Sequence, residues 1–181
     1  MLKVASYDVV FQEIPGEVTL ALNLSNCPCH CPGCHSPHLA EDIGEPLDKE
    51  LLEGLISRYA GLITCVCFMG GDADPAEVAR LAHYIKSQIT NDKSPLKVAW
   101  YSGRPGDPND QEGLERLGYL GHLAPLEHLD FVKFGPYIEE LGGLKSPKTN
   151  QRLYKRVGQG TTDSPVAWED ITSLFWRKTF E

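Results

Sequence analysis

The chain has 181 residues, 41% of them hydrophobic and 23% charged, which suffices for one domain with a real core. It is short for a complete eight-fold βα barrel, which needs at least about 200 residues. The net charge of −8 disfavours a nucleic-acid binder, which carries a basic face.

Residues 2–12 and 18–24 read as strands, and Pro15-Gly16 between them is a turn signal, so the chain is expected to open with a hairpin. Residues 26–46 lack periodicity and hold four cysteines, four prolines and three histidines, the composition of a long functional loop. Asp48 to Ala60 reads as a helix, with Asp48 as cap and Leu51, Leu52, Leu55 and Ile56 at helical spacing. Gly61 stops it. Leu62 to Met69 is a near-continuous apolar strand buried on both faces, followed by Gly70-Gly71-Asp72. Asp74 and Pro75 open a second helix carrying Val78, Leu81, Ala82 and Ile85. Leu96 to Tyr101 is the next strand, closed by Ser102-Gly103. A short helix follows at 110–117, then a strand from Leu129 to Phe134, closed by Gly135-Pro136.

Strands thus alternate with helices after residue 46, the signature of βαβ units. The expected class is α/β, with a mainly parallel sheet that is open or a partial barrel. Neither a linker nor a repeat divides the chain, so residues 1–181 are expected to form one domain. Residues 142–181 are expected to be mostly irregular around one short strand, Arg152 to Val157. Met1 to Asp8 holds no signal-peptide apolar region, and no run nears the ~20 apolar residues of a membrane span. The expectation is a cytoplasmic protein with no membrane or nucleic-acid partner. In a reducing compartment clustered cysteines serve metals or catalysis rather than disulfides.

The densest chemistry is Asn26-Cys27-Pro28-Cys29-His30-Cys31-Pro32-Gly33-Cys34-His35. Cys27, Cys31 and Cys34 have the spacing C-x3-C-x2-C. Three thiolates can hold three irons of a cubane cluster and leave the fourth open, as a catalytic metal site requires. Zinc is the alternative on spacing alone, drawing four ligands from the loop cysteines, His35, His38, Cys65 and Cys67. Position favours the cluster. The loop follows one strand, and the glycine pair ends the next parallel one, so both meet at one rim of the sheet. Cys29 falls outside the triad and reads as a bystander thiol. Cys65 and Cys67, two apart on a strand, read as core filling. His30, His35 and His38 read as loop histidines, and Asp74 as a helix cap.

The C-x3-C-x2-C motif at Cys27, Cys31 and Cys34 resembles that of the radical S-adenosylmethionine enzymes. Cys31-Pro32-Gly33-Cys34-His35 resembles more narrowly the anaerobic ribonucleotide reductase activating proteins. Gly70-Gly71-Asp72 resembles the superfamily's Gly-Gly-Glu stretch, and Tyr101-Ser102-Gly103 the subgroup's Tyr-Thr-Gly. Asp130 through Leu141 and Thr149-Asn150-Gln151-Arg152 resemble its C-terminal stretches. The resemblance runs over most of residues 15–157.

It implies a partial βα barrel holding a [4Fe-4S] cluster on Cys27, Cys31 and Cys34. S-adenosylmethionine would chelate the open iron, with Gly70, Gly71, Asp72 and Ser102 as its contacts. Catalysis would be carried by cluster and cofactor rather than by a side chain. A 5′-deoxyadenosyl radical would take a hydrogen from a glycine of the partner, the large subunit of an anaerobic (class III) ribonucleoside-triphosphate reductase. A flavodoxin- or ferredoxin-type donor would supply the electron. The alternatives are an activase of another glycyl-radical enzyme of the formate-lyase type, a small-molecule radical enzyme, or a non-enzymatic zinc or Fe-S module. Four features depart from the pattern. Asp72 replaces Glu, Ser102 replaces Thr, Lys133-Phe134 stands where relatives often have an acidic residue, and Cys29 is an extra thiol. The basic run Lys145, Lys148, Arg152, Lys155 and Arg156 reads as a solvated face.

Overall fold

The structure, a computed structural model, describes residues 1–89, 95–116, 124–158 and 166–176. Residue 117 of the expected short helix, and 159–165 and 177–181 of the expected irregular tail, lie outside the described residues.

Strand β1 (Lys3–Val10) turns back through Gly16, at φ 83°, into β2 (Thr19–Leu24), with Val10 opposite Thr19. On its other side β1 pairs with the two-residue β3 (Glu45–Pro46). Helix α1 (Lys49–Arg58) starts where Asp48 Oδ1 accepts a hydrogen bond from Leu51 N at 2.8 Å, and it buries Leu52, Leu55 and Ile56. Strand β4 (Cys65–Met69) runs parallel to β2. Asp74 Oδ1 caps α2 (Pro75–Tyr84) by accepting from Glu77 N at 3.2 Å. A single π turn (Ile85–Ile89) extends that helix. Strand β5 (Lys97–Tyr101) is followed by the short helices α3 (Gln111–Arg116) and α4 (Ala124–Glu127). Strands β6 (Phe131–Phe134), β7 (Arg152–Val157) and β8 (Ala167–Asp170) complete the sheet.

The eight strands lie in the order β3-β1-β2-β4-β5-β6-β7-β8. Only the centre, β2-β4-β5-β6, is parallel; the four pairings on its flanks are antiparallel. The sheet is therefore mixed, and the expectation of a mainly parallel one holds only for its middle. The reason lies in the connections. A parallel return needs a crossover, usually a helix. Residues 135–151 contain none, so β7 comes back antiparallel to β6. The region after residue 142 is also less irregular than expected: it adds β8 and a 3-10 helix (Thr172–Trp176) to β7.

Side chains alternate between two cores. One face carries Leu20, Leu22, Val66, Phe68, Val98, Trp100, Val132 and Phe134, packed on α1 and α2. Each such large side chain contributes about 1.5–3 kcal/mol on burial. The opposite face carries Cys65, Cys67, Ala99, Tyr101, Phe131 and Leu153, covered by Ile14, Leu144, Ile171 and the 3-10 helix. Loop and single-turn segments thus roof this second face. Because β2, β4, β5 and β6 are parallel, their carboxyl ends share one rim. The cysteine loop, Gly70–Asp72, Ser102–Arg104 and Gly135–Pro136 all leave from it. No helix among the described residues is long and apolar enough to cross a membrane.

Candidate metal centre

The cysteine loop is pinned at its neck. Asn26 N donates to Glu41 O at 3.1 Å and Cys27 N to Leu39 O at 2.9 Å, while Ser25 Oγ donates to Ile43 O at 2.6 Å. Asn26 and His30 adopt positive φ, 59° and 43°, which bends the chain sharply on either side of Cys27-Pro28-Cys29. Cys31-Pro32-Gly33-Cys34 closes a turn through Cys34 N to Cys31 O at 3.1 Å. Pro at its second position and Gly33 at φ 71° are what a type II turn demands. A Cβ on Gly33 would sit 3.0 Å from Glu139 Oε2, so the turn is packed against the segment after β6.

All four loop cysteines are free and half-buried. The Cys34 sulfur accepts from Ser36 N at 3.4 Å. A hydrogen bond from the Cys29 thiol draws Cys27 down to about 6, and Cys29, as the donor, is pushed up. Cys27 is thus drawn toward the thiolate. Cys29 has another engagement: its Sγ lies 3.8 Å from Asp72 Oδ2. A Cβ on Gly103 would come within 2.7 Å of that sulfur, so only glycine admits Cys29 to the rim.

Asp72, only 1% exposed, ties the rim together. Its Oδ1 accepts from Ser102 Oγ at 2.5 Å and its Oδ2 from Gly103 N at 2.8 Å, while Arg104 Nη2 donates to its carbonyl at 2.9 Å. Gly70 and Gly71 have φ of 100° and 92°. Gly70 N donates to Tyr101 O, and Gly70 O accepts from Trp100 Nε1 at 2.8 Å. A Cβ on Gly71 would meet Val78 Cγ2 at 2.7 Å. The glycine pair therefore makes a turn that no L side chain fits and delivers Asp72 to Ser102 across the β4–β5 boundary.

Beside this rim, on the loop-covered face, lies a cavity of about 430 Å³. Cys34, His35 and Ser36 form one wall, Tyr101 and Lys133 line it from β5 and β6, and Gln12 and Lys145 line it from outside the sheet. His35 packs at a tilt against Tyr137, another lining residue, with ring centres 4.9 Å apart. Gln151, buried, donates to Gly135 O at 3.4 Å, and Thr149 Oγ1 donates to Gly142 O at 3.1 Å. These two are structural supports of the loop after β6. The basic run does not form one face: Lys145 donates to Gln12 Oε1, Arg152 to two backbone carbonyls, and Arg156 to the Leu129 carbonyl.

Of the residues singled out in the sequence, the structure joins Cys29, Asp72 and Ser102 in one hydrogen-bonded group. Cys34 is on the cavity, and Cys65 and Cys67 are in the second core. His83 and His128, whose ring nitrogens lie 3.0 Å apart, sit on α2 and just after α4, away from the rim. Lys133 and Gly103 were not singled out as functional. The signal for Lys133 was a lone lysine in the apolar run Phe131-Val132-Lys133-Phe134.

Among the described residues no three His, Cys, Asp or Glu side chains are grouped to hold a single metal ion. A cubane, by contrast, takes its thiolates at separate corners. The loop's half-buried thiols, with Cys27 drawn toward the thiolate, suit such a cluster. A family model described as a 4Fe-4S single cluster domain matches residues 15–141. The chain belongs to this family. The match spans β2 through β6 and contains the whole cysteine loop. The protein is therefore a [4Fe-4S] protein. No curated protein and no solved structure matches the chain.

Proposed function

We propose that Cys27, Cys31 and Cys34 hold the [4Fe-4S] cluster with one iron left open for S-adenosylmethionine, and that the protein is a radical activase. Its substrate is a glycine of an anaerobic ribonucleoside-triphosphate reductase, and its electron comes from a flavodoxin- or ferredoxin-type protein. The observation that carries the reading is the cavity. One wall is the cluster loop at Cys34, and it lies on the sheet face roofed only by loops and a 3-10 helix. When bound, cluster and cofactor together supply the one-electron chemistry that removes a hydrogen atom from a substrate carbon.

The chain's own residues bind, orient and shield. The Cys31–Cys34 turn fixes the relative placement of two ligands, and the Cys29 hydrogen bond prepares the third. Gly70, Gly71, Asp72 and Ser102 form the rim assigned to S-adenosylmethionine. Within it both oxygens of Asp72 are already engaged, so the Asp72–Ser102 pair acts by holding the rim and Cys29 in place. Phe11, Ile138 and Trp176, all exposed, adjoin the lining residues Gln12, Tyr137 and Phe175 in sequence. Exposed apolar side chains next in sequence to cavity-lining residues suit a macromolecular substrate.

Anaerobic reconstitution followed by reductant and S-adenosylmethionine tests the reading. It expects 5′-deoxyadenosine release, lost in Cys27→Ala, Cys31→Ala and Cys34→Ala and largely kept in Cys29→Ala. Iron uptake without 5′-deoxyadenosine makes the chain an electron-transfer module. Release that labels a formate-lyase peptide but no reductase peptide changes the partner.

A further inference from the structure

Lys133 and Asp72 are the only buried charged side chains among the described residues. Asp72 is accounted for by its hydrogen bonds in the rim. Lys133 is not accounted for. Its ammonium donates to two neutral groups, Ser102 O at 3.0 Å and Gly135 O at 2.9 Å, and sits 5.8 Å from the centre of the Tyr101 ring. These contacts engage two of its three protons without cancelling its charge. Among the described residues no carboxylate forms an ion pair with it. A buried ammonium is costly without negative charge around it; Asp72 supplies part of that charge without forming an ion pair, and the sulfurs of the cysteine loop add to it.

The geometry also sets Lys133 and the cysteine loop on one cavity. Lys133 lies on the loop-covered face of β6, on the same cavity as Cys34. Burial lowers its pKa to about 8. The charges that hold it up against that are Asp72 and then the sulfurs of Cys31, Cys29 and Cys27. Three thiolates on a [4Fe-4S] cluster leave a net negative site, and reduction adds one more negative charge. A fixed cation close by favours the reduced form.

We propose that Lys133 is the counter-charge of the cluster, a positioning residue that holds the cluster's reduction potential up by stabilising the negative charge added on one-electron reduction. The step is electron entry alone: a low-potential donor is oxidised by one electron, the cluster is reduced by one, and no bond forms or breaks. The inference rests on the cluster being bound by the cysteine loop, and not on S-adenosylmethionine or on the identity of the partner.

The test is an electrochemical titration of the reconstituted protein, followed by the electron paramagnetic resonance of the reduced cluster. Lys133→Gln keeps donors for both carbonyls but removes the charge; Lys133→Met removes both; Lys133→Arg keeps the charge. The two neutral variants are expected to show at least a tenfold lower ratio of reduced to oxidised cluster at a fixed potential, a downward shift of about 59 mV or more. Lys133→Arg is expected to stay within threefold of the parent. Iron-replete neutral variants with the parent's potential overturn the proposal, even if their substrate affinity falls, because the charge would then serve the substrate. Should the neutral variants fail to fold, a tenfold loss in Lys133→Arg overturns it alone. An iron-free parent protein instead overturns the cluster assignment to this loop.

Discussion

Six cysteines sit in two environments, and the contrast shows how surroundings decide what a thiol does. Cys65 and Cys67 project from β4 into the second core and are fully buried. Burial pushes both thiols up, which leaves them protonated and inert. Cys27, Cys29, Cys31 and Cys34 are half-buried on a loop whose turns are set by Pro32, Gly33 and two non-glycine residues at positive φ. There a neighbouring thiol donor lowers Cys27, and a backbone N–H reaches Cys34. The same atom type is filler where the sheet surrounds it and open to chemistry where backbone and polar groups do.

That contrast can be broken experimentally. The largest effect is expected from Cys31→Ala or Cys34→Ala, which remove a proposed ligand and should abolish 5′-deoxyadenosine formation while leaving the apo-protein's melting temperature near the parent's. A core change should do the reverse. Phe68→Ala, on the helix-covered face, should cost about 3–5 kcal/mol in denaturant unfolding, with iron uptake retained below its transition. Cys65→Ala, on the opposite face, should cost about 1 kcal/mol and leave the iron content unchanged. Iron loss in Cys65→Ala would erase the distinction between the two sets.

The smallest effect sharpens the comparison within the loop. Thiolate is the species that alkylates, so in the apo-protein the Cys27 alkylation rate should rise through its midpoint near pH 6. In Cys29→Ala the stabilising donor is gone, and the midpoint should move up toward the ordinary value of 9.0. Peptide mapping after alkylation at stepped pH measures this. An unmoved midpoint means Cys29 does not donate to Cys27.

Much of the frame was legible in the sequence because its signals are local. Asp48 and Asp74 were readable as caps, and both accept the expected backbone N–H. The Pro15-Gly16 turn, the apolar run ending at Met69 and the strands ending at Tyr101 and Phe134 were readable for the same reason. What escaped depends on partners. Glu45–Pro46 is a strand only because β1 lies beside it, and Ala167–Asp170, half acidic, only because β7 does. Asp72 and Ser102 stood out singly as ligand contacts. Their mutual hydrogen bond comes from β4 and β5 being neighbours in parallel register, which no spacing encodes. Lys133 looked like a departure from a pattern; its meaning lies in two carbonyls and a cavity wall that converge on it from separate segments.

The most direct test of the account is the electron paramagnetic resonance spectrum of anaerobically reconstituted, reduced protein before and after S-adenosylmethionine is added. The account predicts about four irons per chain, from one cubane, and a signal that changes shape when S-adenosylmethionine binds. Four irons with a spectrum indifferent to S-adenosylmethionine would contradict it, because no iron would then be open to the cofactor.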